Sequence, residues 1–232
     1  MKKILVLLLL SLIGLSVFAY SLNNVLLNNF NTVMTLSKYE QKDAIIVFSD
    51  PNCFYCNKLK SDTLSNLDVQ HMLSNNFVIG EIYETNDTAN FQGNTYTYTQ
   101  LFQGFGVKGT PTLFFFTSAG TPITYLPGYL GASDFLKVLQ YIALGDYAKN
   151  IDFNTFSKGN SNFVGTSSII ELTNDQANYI LKNDPLSKKI DSYPPKNADP
   201  FLKYVISGQD AVSIANQMLK NGFYNIYVVD GK

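Results

Sequence analysis

The 232-residue chain holds two cysteines, a single histidine and no tryptophan, and its 17 basic and 18 acidic residues leave a formal net charge of −1. Each shortage removes a class of function. Without a basic excess the chain lacks the electrostatic footprint of a nucleic-acid binder. It also carries no Walker loop, dinucleotide glycine fingerprint or RNA-binding signature. Two cysteines and the lone His71 cannot complete a tetrahedral Cys/His zinc site within one chain. Nor can they form the several well-separated disulfides that staple small exported domains. The longest apolar run, residues 4–15, falls short of the roughly 20 residues that span a bilayer as a helix.

What is present is enough for a core. Hydrophobic residues make up 46% and charged residues 15%, and the length suits one domain with a smaller partner. Lys2 and Lys3 precede the apolar run and Val17-Phe18-Ala19 follows it. That pattern is a secretory signal peptide cut after Ala19, the alternative being an uncleaved anchor. The expectation is an exported protein, periplasmic or otherwise extracytoplasmic, that touches the membrane only if this segment stays attached. No cysteine follows the run, so a lipoprotein anchor is not indicated.

Beyond the leader, residues 22–38 have the apolar spacing of an amphipathic helix. Residues 44–48 form a short apolar run that suits a buried strand. Residues 57–73 read as a helix, 77–83 as a strand, 85–95 as polar turns and 98–105 as a short helix. Residues 112–116 and 122–126 pair as a hairpin around the turn at 118–121. Ser133 is the expected N-cap of a helix running to Leu144. The order predicts an α/β domain over residues 20–147, a mixed sheet flanked by helices, then a linker over 148–165. A smaller α/β domain follows over 166–232. Its strands are expected at 168–172, 203–207 and 225–229, and its helices at 174–181 and 210–221. Residues 183–200, with four of the eight prolines, read as a long loop.

Both cysteines lie in one Cys53-Phe54-Tyr55-Cys56 run between the strand at 44–48 and the following helix. A bridge closing so small a loop stabilises little, so this pair is there for chemistry. At a helix start, unpaired N–H groups and the positive dipole end face the first sulfur, which favours the nucleophilic thiolate. Cys53 would then attack a disulfide and Cys56 would resolve the mixed disulfide. Lys58 and Lys60 add positive charge nearby, or are simply solvated. Other readings of a lone CxxC are half of a zinc site, two buried thiols, or a copper carrier.

The second element is Gly106-Val107-Lys108-Gly109-Thr110-Pro111-Thr112, leading into Leu113-Phe114-Phe115-Phe116. A strand, a CxxC opening a helix, and a Gly-x-Pro-Thr turn into a β-strand further on resemble the thioredoxin superfamily, over roughly residues 22–144. Ser49-Asp-Pro-Asn-Cys-Phe-Tyr-Cys and Leu126-Pro-Gly-Tyr-Leu130 look most like its exported bacterial, SoxW-like and disulfide-reductase members. The resemblance implies a thioredoxin fold and a cis Thr110–Pro111 bond facing the disulfide. It further implies that Thr110 and Pro111, with Phe54 and Tyr55, contact the substrate. The partners implied are protein thiols or disulfides and a redox partner protein; the only cofactor is the Cys53–Cys56 disulfide itself.

Departures are specific. Val47 stands where the family has a buried acid, and Asn52 where it has a tryptophan. Glu81 falls at the family's lysine position and is a candidate proton acceptor for Cys56, against an exposed or strand-edge residue. Phe54-Tyr55 lacks the histidine of strong oxidants, which leans the reading to a reductase or isomerase. The alternative is a binding or carrier protein for metal or sulfur, with a partner-recruiting C-terminal domain. His71 reads as a surface residue. Residues 203–231 resemble the second half of a rhodanese domain, without its cysteine. The expectation is an inactive rhodanese-like module, against an unrelated α/β appendage, with a weak anion site at Ser207-Gly208.

Overall fold

The most apolar segments of the chain become the middle of a sheet. The computed structural model describes residues 25–229; the expected signal segment, residues 1–19, lies outside them. The first region runs β1 (Leu26–Leu27), α1 (Phe30–Glu40), β2 (Asp43–Ser49), α2 (Phe54–Lys58), a π-helical turn (Leu59–Leu64), α3 (Leu67–Asn76) and β3 (Phe77–Tyr83). It continues with β4 (Thr88–Phe91), β5 (Asn94–Thr97), α4 (Tyr98–Gly104), β6 (Thr112–Phe116), β7 (Pro122–Pro127) and α5 (Ala132–Ala143). The sheet order is β1-β3-β2-β6-β7, with β2 parallel to β3 and antiparallel to β6.

β2 lies at the centre and is covered on both faces, which is why it reads as an unbroken apolar run. Its side chains alternate. Ala44, Ile46 and Phe48 join Phe114 and Phe116 on the face covered by α1, with Phe30, Val33 and Leu36. Ile45 and Val47 join Leu113 and Phe115 on the other face, against Val69, Met72 and Leu73 of α3 and Phe135, Leu139 and Ile142 of α5. Gly80 of β3 lets α1 approach: a Cβ there would overlap Val33 Cγ2 and lie 3.1 Å from the Leu27 carbonyl oxygen.

Several sequence expectations are corrected. The helix expected from residue 22 starts at Phe30, because Asn29 caps it by accepting from Thr32 N–H at 2.9 Å. Leu26 and Leu27 instead pair with Ile79 and Gly80 as an edge strand. The single helix expected over 57–73 is three pieces, broken where Asn66 caps α3 by accepting from Asp68 and Val69 N–H. The polar stretch expected as turns over 85–95 instead holds most of the hairpin β4–β5, residues 88–97, turned by Gln92 and Gly93 with φ of 50° and 81°. Ser133 is not the N-cap of α5; Gly131 is, with no side-chain hydrogen bond.

The expected linker is ordered along the first region. It holds a 3-10 turn (Asp146–Lys149) and α6 (Phe153–Ser157). Gln140 Nε2 donates to the Ser161 and Phe163 carbonyls at 3.1 and 3.0 Å, and Asn75 and Asn76 donate to that of Val164.

The second region has its own sheet, built from β8 (Ser168–Leu172), α7 (Asn174–Asn183), β9 (Ser187–Ile190), β10 (Lys203–Ile206), α8 (Ala211–Lys220) and β11 (Asn225–Val229). All four strands are parallel in the order β8-β11-β10-β9. Strand β9 lies inside the segment expected to be a loop; its Ser-Lys-Lys-Ile carries two exposed lysines and sits at the sheet edge, where charge is tolerated. Ile206, Ile226 and Val228 face α8. Val205 and Tyr227 face the opposite way, in one continuous cluster with Ala177 and Ile180 of α7 and the α1 side of the first sheet.

Ion pairs are buried in this contact. Lys203 Nζ lies 2.6 Å from Glu40 Oε2 and also pairs with Asp184. Lys42 Nζ lies 3.2 Å from the same Glu40 oxygen and donates to the Ser74 carbonyl at 2.6 Å. Tyr227 OH donates to Glu40 at 3.1 Å. Burial alone would raise the Glu40 pKa, but the Lys203 and then the Lys42 charges more than offset it and hold it at about 2. Burial, reinforced by Lys203, brings Lys42 down to about 7 against the pull of Glu40 and Asp184.

Candidate active site

The chain leaves β2 at its C-terminal end and turns at once. Asp50 makes the turn: its carboxylate accepts from Asn52 N–H at 2.7 Å and its carbonyl from Cys53 N–H at 3.1 Å. Cys53 is thereby delivered to the N-cap position of α2, with φ −76° and ψ 118°. Its Sγ accepts from the Cys56 N–H at 3.0 Å, one of the unpaired donors of the first helical turn. Cys53 and Cys56 form a disulfide with Cα atoms 5.2 Å apart.

The two sulfurs have different surroundings. Cys56 is 1% exposed, whereas Cys53 is half-buried. An incoming group therefore reaches Cys53 first. The Thr110–Pro111 peptide bond is cis, and the Thr110 carbonyl oxygen lies 3.3 Å from Cys53 Sγ. That loop is held by Thr112 Oγ1, which donates to the Gly109 carbonyl at 2.7 Å, and by Gly128 N–H, which donates to the Pro111 carbonyl at 2.7 Å. The structure thus brings together Cys53, Cys56, Thr110 and Pro111.

Phe54 and Tyr55 are the first two residues of α2 and project outward, 73% and 56% exposed. Their rings meet edge to face at 5.3 Å, and Tyr55 lies 6.2 Å from Tyr129. The Lys58 ammonium sits over the Tyr129 ring at 5.2 Å and pairs with Asp62, whose hydrogen bond raises the Lys58 pKa. Tyr129, part of the Leu126–Leu130 segment that resembles the family, is not among the expected site residues. The chain carries it there from β7, and Thr63 Oγ1 anchors that loop by donating to the Leu130 carbonyl at 2.6 Å.

Glu81 is not an exposed or edge residue. It is 8% exposed on β3, beside Val47 of β2 in the register. Its carboxylate pairs with Lys60 at 3.2 Å and accepts from Tyr83 OH at 2.7 Å. Burial, with the Glu81 hydrogen bond and charge, pushes the Tyr83 phenol up to about 12, so it stays a donor. Lys60 is thus an ion-pair partner rather than a solvated lysine. His71 is not a plain surface residue either: it is half-buried, with its ring stacked on Phe201 at 3.6 Å. Among the described residues no group of three His, Cys, Asp or Glu side chains is placed to hold a metal ion.

The family described as thioredoxin-like domain matches residues 30–143. Solved structures with a similar chain course include a thioredoxin from Thermus thermophilus, at 22% identity over 55% of this chain and 94% of that one, with a TM-score of 0.44. A thioredoxin-fold protein from Helicobacter pylori is 20% identical over 67% of this chain and 98% of its own, with a TM-score of 0.37. The oxidised C-terminal domain of Neisseria meningitidis DsbD is 21% identical over 47% and 87%, also at 0.37. No curated protein sequence matches the chain. Residues 30–143, with the CxxC at the start of a helix, form a thioredoxin-like domain.

Proposed function

We propose that the chain is an exported thiol–disulfide oxidoreductase that exchanges disulfides with protein thiols, leaning to reduction or isomerisation. The observation that carries this reading is the half-buried Cys53 at a helix N-cap, its sulfur accepting the Cys56 N–H, with the resolving Cys56 fully buried one turn on. In the reduced form that N–H and the helix dipole favour the Cys53 thiolate.

The thiolate attacks a substrate disulfide. A Cys53–substrate sulfur bond forms and the first substrate thiolate leaves with the electron pair of the broken bond. Cys56, deprotonated, then attacks Cys53 Sγ, closing the Cys53–Cys56 disulfide and releasing the second substrate thiolate. Two electrons pass to the substrate. A protein dithiol, as redox partner, returns the pair to the reduced state by the reverse steps. Glu81, held by Lys60 and Tyr83, is the candidate acceptor for the Cys56 proton. The absence of a histidine between the cysteines supports the reductive lean. Residues 166–232 contain no cysteine, and in this reading they brace the redox domain without joining the chemistry.

The test is insulin-disulfide reduction with dithiothreitol as donor. Cys53→Ser should abolish it, and Cys56→Ser should accumulate mixed disulfides on a non-reducing gel. Full activity in Cys53→Ser would end the proposal. Export is checked by N-terminal sequencing of the protein from a periplasmic fraction, which should begin after Ala19.

A further inference from the structure

Two exposed aromatic rings, Phe54 and Tyr55, and a third that is partly buried, Tyr129, lie beside the disulfide. Phe54 and Tyr55 are among the most exposed large hydrophobic residues described, and with Tyr129 they form one contiguous array running from the CxxC to the loop after β7. Contiguous exposed aromatic surface marks an interaction site, and such rings supply contact area with few torsions to freeze.

The array is also fixed in place. Lys58 caps the Tyr129 ring, Asp62 holds Lys58, and Thr63 and Gly128 tie down the two sides of the Tyr129 loop. A surface held this way binds without first ordering itself. It lies where chain flanking a cysteine joined to Cys53 must pass, because Phe54 and Tyr55 immediately follow that residue.

From this placement, and resting on the exchange activity proposed above, we infer that Tyr129 is a specificity-determining residue. With Phe54 and Tyr55 it selects polypeptide disulfides that carry an aromatic or large aliphatic side chain next to the reacting cysteine. Substrates with only small polar neighbours gain nothing from the array.

Two peptide disulfides of one sequence, differing only in Phe or Ser beside the reactive cysteine, separate the possibilities. Hydroxyethyl disulfide reports exchange by itself. The wild-type protein should favour the Phe peptide by about 10-fold in kcat/KM. Tyr129→Ala should bring that ratio to within about 3-fold of unity, mostly through KM, and Tyr129→Phe should keep it. Phe54→Ala, at a residue with little packing to lose, should lower the ratio in the same direction. A wild-type ratio near one, or an equal loss on both peptides in Tyr129→Ala, overturns the inference while leaving exchange intact. Failure of the wild type to reduce either peptide or hydroxyethyl disulfide overturns the exchange reading and this inference with it.

Discussion

Replacing Lys203 by Met should destabilise the protein more than any surface change. Lys203 is 3% exposed and, among the described residues, is the one cation paired with both Glu40 and Asp184. Methionine fills similar space, so the loss is electrostatic. Glu40 keeps Lys42 and Tyr227, but Asp184 is left buried without its cation. Removing one partner of a buried pair costs about 3–5 kcal/mol, because the other charge stays desolvated and unpaired. For a chain of this size each kcal/mol lowers Tm by about 2–4 °C, which gives a drop of roughly 6–20 °C by circular dichroism. Adding Asp184→Asn removes the stranded charge, so the double variant should be more stable than the sum of the singles implies, by about 1–3 kcal/mol. A Lys203→Met cost below about 1 kcal/mol, or a cycle additive within about 0.5 kcal/mol, would refute the reasoning.

Two further outcomes follow from the same packing. Gly80→Ala forces a methyl group into Val33 of α1 and should cost about 1–3 kcal/mol by overpacking; Val33→Ala in the same chain should recover much of it, read from urea midpoints. The Glu40 carboxyl is held down from 4.5 to about 2 in the fold, so its contribution is fully present above pH 4.5 and is lost as pH falls through 2. Lys42, brought down from 10.5 to about 7, acts in the opposite sense: its burial penalty is full below pH 7 and is relieved as pH rises towards 10.5. Stability measured against pH should therefore show an acid limb that Glu40→Gln flattens, and an unchanged limb in that variant would contradict the assignment.

The parts of the fold legible in the sequence were those where burial leaves a periodic trace. β3 and β6 run over the residues their apolar patterns indicate, and β2 extends one residue beyond at each end. The cysteine pair was legible because its spacing and its place after a strand carry the chemistry. The start of α1 was missed because Leu26 and Leu27 continue its apolar spacing yet pair as an edge strand, and Asn29 caps the helix after them. Strand β9 had no such trace: an edge strand with two exposed lysines looks like loop. The buried cluster of Glu40, Lys42, Asp184 and Lys203 was hidden for a deeper reason. Charged residues read as surface until a second region covers them, and nothing local to residue 40 points to residue 203. Tyr129 joins the site through a loop some 70 residues after Cys56, a proximity that only the β6–β7 hairpin creates.

The central claim is that Cys53 alone presents an activated sulfur. A brief iodoacetamide pulse on the reduced protein at neutral pH, followed by peptide mapping, tests it directly. The account predicts label on Cys53, faster than on glutathione in the same tube, with Cys56 unlabelled. Equal labelling of the two cysteines, or a Cys53 no faster than glutathione, would contradict it.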